Sequence, residues 1–539
     1  MRPILKKIIA LCLVICLTLS GCAGIDLKGY FENLIAMFGG VTAFIDMEYQ
    51  RPDMEAFQVA LEEACAAAAE ETDLRELEAV IFGFYDHYGA FSTAYSLSTI
   101  HYCQDLTDSY WEEEYNFCLE NAAQVDAALD RFYRVLAESP LREELESDDY
   151  FGEGFFDYYE GETLYDETFL NLLGQEAQLQ GQYYELSGEA SAVEYYSEEY
   201  FSVYGTQMAQ VLVELIALRQ QLAAYAGYGS YPEFAYDYYH MRDYTPAQAT
   251  SYLADIRAEL TPMYKQLLQS DVLSRQWSAS TTEQTFGYVE EMAGAMGGQI
   301  SDAFALMKEG NLYDIAYSPN KFNTSFEVYI YNYQQPYIFL CPTGTVSDKL
   351  TFAHEFGHFC NDYMSFGSAA GVDVAEIFSQ GMEYLSLFYT EESEELLTLR
   401  MAMCLSTYVE QAALASFEQQ MYGLTGSDLT AENIQALYAS VCAAYGIDSA
   451  SWDSRSFVVV THFYTSPLYV ISYVVSNDAA LQLYQLEAKQ EGAGLACLEG
   501  SLATMQPYFL AFLKEAGLES PFTAGRIAQV KETLQPFLQ

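Results

Sequence analysis

Residues 325–344, SFEVYIYNYQQPYIFLCPTG, are the one stretch of the chain with a convincing β-strand pattern. Val328, Ile330 and neighbouring tyrosines alternate, NYQQP is typical of a turn, and Tyr337 to Leu340 predicts a second short strand. Elsewhere apolar residues recur at three- and four-residue spacing, as in MEAFQVALEEACAAAAEETDLRELEAVIF. The sequence therefore predicts a mainly α, multi-helical fold with one small β-hairpin.

A break in the helical pattern divides the chain. Gly227, Gly229, Pro232 and Pro246 interrupt it between residues 225 and 248. We therefore predict an N-terminal helical region at 23–225 and a second region at 226–539 that holds the chemistry. With 51% hydrophobic residues, the chain is far more apolar than a disordered one.

The N-terminus, MRPILKKIIALCLVICLTLSGCAG, has the layout of a secretory signal, with basic residues before a short apolar run. LSGC resembles the lipobox of bacterial lipoproteins, in which the cysteine, here Cys22, is lipidated after residues 1–21 are removed. We expect an exported protein that is lipid-anchored to the outer face of a bacterial cytoplasmic membrane. We identify no other apolar run near the roughly 20 residues that a membrane span needs.

Charge and cysteine usage exclude further classes. The formal net charge of −54 repels phosphates, which excludes nucleic acid as a partner and favours cationic ligands at low salt. The cysteines outside the export segment are scattered and include no CxxC pair, so we expect free thiols rather than disulfides or structural zinc. These are Cys65, Cys103, Cys118, Cys341, Cys360, Cys404, Cys442 and Cys497.

TFAHEFGHFC, residues 351–360, carries two of the six histidines of the chain. Aromatic residues recur at helical spacing along it, so His354 and His358 lie one helical turn apart and can share one Zn²⁺. Glu355 lies about 100° round the same helix, where it can act as general base on a zinc-bound water that attacks a peptide carbonyl. The alternative is a helix with two unrelated histidines.

A third zinc ligand is expected from DVAEIFSQGMEYLSLFY, residues 373–389. Glu376 and Glu383 are seven residues apart and share a helical face, so one carboxylate could bind zinc while the other orients a ligand histidine. Two histidines and one carboxylate are a common ligand set of catalytic zinc sites, which keep a further position open for water. The alternative is a pair of acids on a solvated helix face.

HEFGH, followed by AEIFSQGME and preceded by PYIFLCPTGTVSDKLTFA, resembles the zinc oligopeptidases related to oligoendopeptidase F and thimet oligopeptidase. The resemblance is closest to the oligoendopeptidase F branch. It implies that Glu376 is the third zinc ligand and that Glu383 is the second acid behind the ligands. It also implies a two-lobed molecule with a deep substrate channel between the lobes. Peptides would then be held as an added strand at a sheet edge, for which PYIFLCP is the expected strand.

THFYTSPLYVISYVVSNDAALQLY, residues 461–484, is similar to the family segment whose histidine and tyrosines bind the substrate carbonyl and its oxyanion. The resemblance places His462 and Tyr469 in these roles, with Tyr473 as the next candidate, and leaves open which tyrosine is the oxyanion donor. Offsets of seven and eleven residues from His462 return to one helical face. The alternative is a histidine packed among aromatic residues of the core.

Taken together, these features predict a monomeric zinc metalloendopeptidase that binds one Zn²⁺ and hydrolyses internal bonds of oligopeptides. Two other functions stay open. A peptide-binding lipoprotein without turnover would have no need of Glu355, and a zinc carboxypeptidase would fit the AEIFSQGME and HFYTSP segments less well.

Overall fold

A computed structural model describes residues 41–146, 151, 155–160, 163–190, 193–270, 272, 277–367, 371–391, 393–447, 453–504 and 506–538. The predicted signal segment and Cys22 lie outside these residues. Export and lipidation of the chain therefore stay predictions.

Three long helices and one short helix form the N-terminal part of the described chain. They are α1 Met54–Glu70, α2 Leu74–Gln104, α3 Ser109–Ala137 and the single turn α4 Arg142–Leu145. Asp53, Asp73 and Asp108 cap the long helices, because each side chain accepts a hydrogen bond from a backbone N–H of the first turn. The buried faces form a separate hydrophobic core, in which the rings of Phe84 and Phe132 lie 4.8 Å apart.

The helices that follow pack around a second, larger hydrophobic core. They are α5 Glu167–Ala190, α6 Thr206–Tyr225, α7 Tyr231–Tyr238, α8 Pro246–Glu259, α9 Thr261–Gln269, α10 Thr282–Met296, α11 Gly298–Gly310, α12 Ser347–Ser365, α13 Val372–Ser386, α14 Ser393–Ser406, α15 Ala412–Met421, α16 Ala431–Ala444, α17 His462–Thr465, α18 Ile471–Lys489, α19 Ala493–Glu499, α20 Phe509–Ala516 and α21 Arg526–Leu534.

Shorter helical turns join these elements. Two are π-helical, Tyr200–Gly205 before α6 and Thr407–Gln411 between α14 and α15. The 3₁₀ turns are Phe44–Asp46, Phe155–Tyr159, Tyr331–Tyr333, Gly426–Asp428, Ser456–Val459 and Gln535–Leu538.

Three strands form one small sheet in the order β1-β3-β2, with β1 Tyr313–Asp314, β2 Ser325–Ile330 and β3 Gln335–Leu340. β2 and β3 are the predicted antiparallel hairpin, and β1 pairs in parallel with β3. The expectation that PYIFLCP forms the sheet edge is wrong. The two-residue β1, which is too short to recognise in the sequence, covers the second side of β3, and the edge strand of the hairpin is β2.

Helix α12, which carries HEFGH, directly follows the sheet and packs against α13. Gly357 lies where the two helices meet: a Cβ at this position would lie 2.4 Å from the carbonyl oxygen of Phe378 and 2.7 Å from the Cα of Ser379. Only glycine permits this approach of two helix backbones. On the other side of α13 lies α18, to which Gln380 is linked by a hydrogen bond to the carbonyl oxygen of Tyr473 at 3.3 Å.

The segment Tyr200–Tyr225 corrects the expectation about apolar runs. By length and composition alone, this helical segment is long and apolar enough to cross a membrane. However, half of its most apolar 18-residue stretch is buried inside the protein. Its Arg219 is fully buried and paired with Glu176. A core helix has these properties, so the helix is weak evidence for a membrane span. The eight described cysteines are free thiols, as expected.

Candidate active site

His354 and His358 lie one turn apart on α12, and Glu376 faces both from α13. Glu376 Oε2 lies 3.4 Å from His354 Nε2 and 4.0 Å from His358 Nε2. One ligand atom from each residue lies within 4.8 Å of the other two. Two imidazole nitrogens and a carboxylate oxygen at this spacing fit a zinc ion with three protein ligands. The structure thus brings the three predicted metal ligands together.

Glu383 lies behind His354. Its Oε1 is 2.8 Å from His354 Nδ1, and its Oε2 is 3.0 Å from Arg400 Nε. The Arg400 contact is an ion pair without hydrogen-bond alignment. The Arg400 guanidinium also stacks 3.7 Å above the ring of Tyr384. A carboxylate on Nδ1 orients the imidazole and leaves Nε2 free to bind a metal.

The two histidines have opposite charge preferences. Burial lowers the pKa of His354, but its hydrogen bond with Glu383 and the charge of Glu376 outweigh burial and raise it to about 9. Burial lowers the pKa of His358 to about 4. For Glu376, burial raises the pKa, but the two histidines and a hydrogen bond from Tyr469 hold it below the ordinary value. The group is therefore a carboxylate ready to bind a cation.

Glu355 is buried beside these residues and lines a cavity next to the metal ligands. Burial, together with the charges of Glu376 and Glu383, raises the pKa of its carboxyl to about 7. A carboxyl that titrates near neutrality can accept and return a proton at physiological pH, as a general base must.

His462, Tyr469 and Tyr473 reach the site by a different route from the one predicted. A single helical face was expected, but α17 ends at Thr465 and the chain turns before α18 begins. The residues meet through this turn: Tyr473 OH is 3.0 Å from His462 Nε2, and Tyr469 OH donates to Glu376 Oε1 at 2.6 Å. Tyr473 also borders the cavity, together with Glu355. The two tyrosines therefore have different partners.

A group of buried polar side chains, which we name the Leu468 clamp, holds that turn. Leu468 has a left-handed backbone with φ of 62°, which is costly for a residue with a branched side chain. Arg242 donates to its carbonyl oxygen at 2.9 Å, and Glu418 accepts from its N–H. His240 Nε2 lies 2.8 Å from the carbonyl oxygen of Pro467. These three contacts fix the residue that precedes Tyr469.

Arg242 also ties the turn to the helix of the third ligand. Its Nε lies 3.1 Å from Oδ2 of Asp373, at the start of α13, and its Nη2 donates to Ser472 Oγ at 2.8 Å. Tyr244 OH donates to the same Asp373 oxygen at 2.7 Å. Sequence reasoning missed Arg242. The only signal is that Lys and Arg are scarce in this chain, 23 against 77 acids.

A cavity of about 250 Å³ opens beside the metal ligands. Residues from α12, α13, α14, the following π turn and α18 line it. They are Thr351, His354, Glu355, Gln380, Glu383, Arg400, Met403, Thr407, Gln411 and Tyr473.

Comparisons with known proteins bear on the fold and on the N-terminal part. Residues 44–163 match the model of the Peptidase M3 N-terminal domain. No curated protein matches the sequence. The chain is similar to a solved structure named as an oligoendopeptidase F, with 20% identity, 92% of this chain and 98% of that chain covered, and a TM-score of 0.83.

Two further solved structures are similar over almost their whole length. For Pz peptidase A with an inhibitor, identity is 18%, coverage is 92% of this chain and 99% of that chain, and the TM-score is 0.81. For oligoendopeptidase-F from Enterococcus faecium, identity is 16%, coverage is 90% of this chain and 97% of that chain, and the TM-score is 0.57. At such identities the likeness shows the fold, and it confirms the predicted mainly α class with a small sheet beside the HEFGH helix.

Proposed function

We propose that this protein is a zinc-dependent metallopeptidase that hydrolyses internal peptide bonds of oligopeptides. One observation supports this most strongly: His354, His358 and Glu376 present three metal-ligand atoms within 4.8 Å of one another, next to a buried glutamate and a histidine–tyrosine pair. The match of residues 44–163 to a peptidase domain supports the same conclusion.

The donor set of the site suits Zn²⁺. Two imidazoles and one carboxylate match the ligands of catalytic zinc sites, and Glu383 orients the first imidazole. Bound zinc supplies Lewis acidity, which polarises a carbonyl and lowers the pKa of a water molecule. In this proposal His354, His358 and Glu376 hold one ion.

Glu355 takes the proton of the attacking water and returns it to the leaving amine. In the metal-free site burial raises the pKa of this carboxyl to about 7, so the side chain accepts a proton more readily than an exposed glutamate does.

Tyr473 and His462 act together on the scissile carbonyl. Tyr473 OH borders the cavity and lies 3.0 Å from His462 Nε2. In this proposal His462 donates its Nε2–H to the Tyr473 oxygen, and the Tyr473 O–H donates to the carbonyl oxygen as negative charge develops there. Tyr469 instead donates to Glu376, and we propose that it orients this ligand. The sequence leaves open whether Tyr469 or Tyr473 donates to the oxyanion, and we propose Tyr473 for this role.

We propose that a peptide pairs with the edge strand β2. Backbone pairing along β2 would bind extended peptides with little dependence on side chains. One end of β2 is covered, since Ser96 on α2 donates to the carbonyl oxygen of Tyr329 at 2.9 Å. Pairing is therefore proposed for residues 325–328.

We further propose that the mature protein is monomeric and is held by lipidated Cys22 outside the cytoplasmic membrane. Replacement of Cys22 by serine should release the protein from membranes into the medium. Continued membrane association of Cys22→Ser would contradict the anchor and leave the peptidase proposal intact.

The test of activity uses metal-loaded protein and a quenched fluorogenic oligopeptide, with and without a chelator. Glu355→Gln should keep zinc and lower kcat/KM by about 10²–10⁴-fold. Undiminished cleavage by Glu355→Gln would refute the mechanism. If zinc-loaded protein binds peptides but cleaves none, a peptide-binding function is favoured. Release of single C-terminal residues in the mass spectrum would indicate a carboxypeptidase.

A further inference from the structure

Part of the cavity wall is a row of three side chains from one helical run. Met403, Thr407 and Gln411 are spaced four residues apart along the helical run from α14 into the π turn, and all three line the cavity. Each is partly exposed, so the row faces open space. Single π turns inside helices recur at functional sites, where they re-aim side chains.

The ionisable groups of the cavity are already engaged. Glu383 is paired with Arg400 and bonded to His354, at 3.0 and 2.8 Å. Glu355 is assigned to proton transfer, and His354 to the metal. The remaining wall is uncharged, and a charged guest would lose its hydration there without gaining an opposite charge.

The same wall carries unused hydrogen-bonding groups. Within the described ranges, neither the carboxamide of Gln411 nor the hydroxyl of Thr407 has a hydrogen-bond partner. By contrast, Thr351 donates to the carbonyl oxygen of Ser347 at 3.2 Å, and the amide nitrogen of Gln380 is bonded to α18. Gln411 thus offers one donor group and one acceptor to a guest.

We propose that this cavity receives the substrate side chain next to the scissile bond and selects a neutral side chain that both donates and accepts hydrogen bonds. A carboxamide matches Gln411 best, because two amides can exchange a pair of N–H···O bonds. Thr407 supplies a further hydroxyl, and Met403 contacts the aliphatic part of the guest. The inference rests on the proposed peptidase function, of which it defines the side-chain preference.

The experiment uses four matched fluorogenic peptides, with Gln, Leu, Glu or Lys at one position beside the cut, and a second set for the other side. Mass spectrometry of the products fixes the cut. On one side of it, the wild type should favour Gln over Glu and Lys by at least about tenfold in kcat/KM.

Substitution at Gln411 should change this preference without abolishing turnover. Gln411→Leu should lower kcat/KM for the Gln peptide about tenfold and leave the Leu peptide within about threefold. Gln411→Glu should raise the rate for the Lys peptide. Gln420→Leu, on the exposed face of the same helical run, is the matched control and should leave kcat/KM for these peptides unchanged. An unchanged order of the four peptides in both Gln411 variants would overturn the proposal.

A binding measurement separates this proposal from the peptidase function. The same peptides are titrated into zinc-loaded Glu355→Gln protein, with and without Gln411→Leu, and followed by fluorescence anisotropy. Preference for the Gln peptide that is lost with Gln411→Leu supports the pocket even if no peptide is cleaved. Equal affinity for all four peptides overturns it even if hydrolysis is fast and sensitive to chelator.

Discussion

The two hydrophobic cores differ in how they contain charge. In the N-terminal core of α1 to α3, the buried acids Glu114 and Asp130 pair with Arg51 and Arg134, whose side chains stay 41% and 19% exposed. In the larger core, four arginines are at most 3% exposed and their acidic partners are buried with them. These pairs are Arg219–Glu176, Arg242–Asp373, Arg400–Glu383 and Arg526–Asp478.

Three of these four pairs touch the candidate active site. Arg242 holds Leu468, Arg400 holds Glu383, and Arg219 donates to the carbonyl oxygen of Phe463, which follows His462. Buried ion pairs seldom stabilise a fold more than apolar residues of the same volume would. We infer that the N-terminal core mainly provides stability, whereas the larger core gives up part of its stability to hold active-site groups in position.

Arg242→Met should have the largest effect, because it leaves Asp373 buried without its ion pair. We expect the free energy of unfolding to fall by about 3–5 kcal/mol. We also expect kcat/KM to fall about 10- to 100-fold in the molecules that remain folded, because the turn before Tyr469 loses its clamp. Urea unfolding and kinetics corrected for the folded fraction measure the two effects.

Arg526→Met is the matched control for this prediction, since Arg526 is also buried and paired with an aspartate, 2.8 Å away. It should lose similar stability and keep kcat/KM within about twofold. Equal kinetic losses in both variants would remove the distinction between positioning and structural pairs.

Leu77→Ala tests the other side of the comparison. Leu77 is fully buried in the N-terminal core, and the cavity left behind should cost about 2–5 kcal/mol of unfolding free energy. Activity per folded molecule should stay unchanged. A clear drop in kcat/KM at temperatures where the variant is fully folded would show that this core also positions the site.

Glu383→Gln should weaken zinc binding by about 10- to 100-fold, or about 1.4–2.8 kcal/mol, because the amide orients His354 less strongly than the carboxylate. Competition with a chromogenic chelator measures the affinity. Glu487→Gln is the control: Glu487 is equally buried but accepts from the N–H groups of Gly492 and Gly494. If both variants bind zinc like the wild type, the orienting role of Glu383 is wrong.

A pH dependence of stability arises at Glu418. Burial raises its pKa from 4.5 to about 8, against the N–H of Leu468 and the charges of Arg219 and Arg242, which lower it. The folded state therefore keeps a proton that the unfolded state releases. This stabilising contribution is complete below pH 4.5 and is lost as the pH rises toward 8.

Glu418→Gln has no such proton. The unfolding free energy of the wild type, relative to this variant, should fall from pH 5 to pH 8 by less than about 1.4 kcal/mol per pH unit. Parallel urea titrations at each pH measure the difference. A constant difference over this range would show that Glu418 is ionised in the fold.

The sequence predicts the parts of the molecule that depend on local spacing. His354 and His358 face one way because they are four residues apart, and the β2–β3 hairpin follows from alternation around a turn. Contacts between distant residues have no such signal. Arg242 meets Asp373 across 131 positions.

The errors have the same origin. A strand of two residues has no pattern of its own, so the sequence gives no sign of β1 and predicts β3 at the sheet edge. The turn at Leu468 was missed, because a left-handed leucine is disfavoured locally and is stable only through Arg242 and Glu418. His462 and Tyr473 contact each other through a bend that no periodicity describes.

The π turn at Thr407–Gln411 also determines which way the side chains of the following helix α15 face. It fits one more residue into the run from α14 to α15 than an α-helix would, which turns everything after it by about 100°. Arg400, before the turn, contacts Glu383, and Glu418, after it, contacts Leu468. The additional residue in the π turn thus allows one helical run to contact both Glu383 and Leu468. Deleting one residue from the turn would keep Arg400 in place and rotate Glu418 away from Leu468.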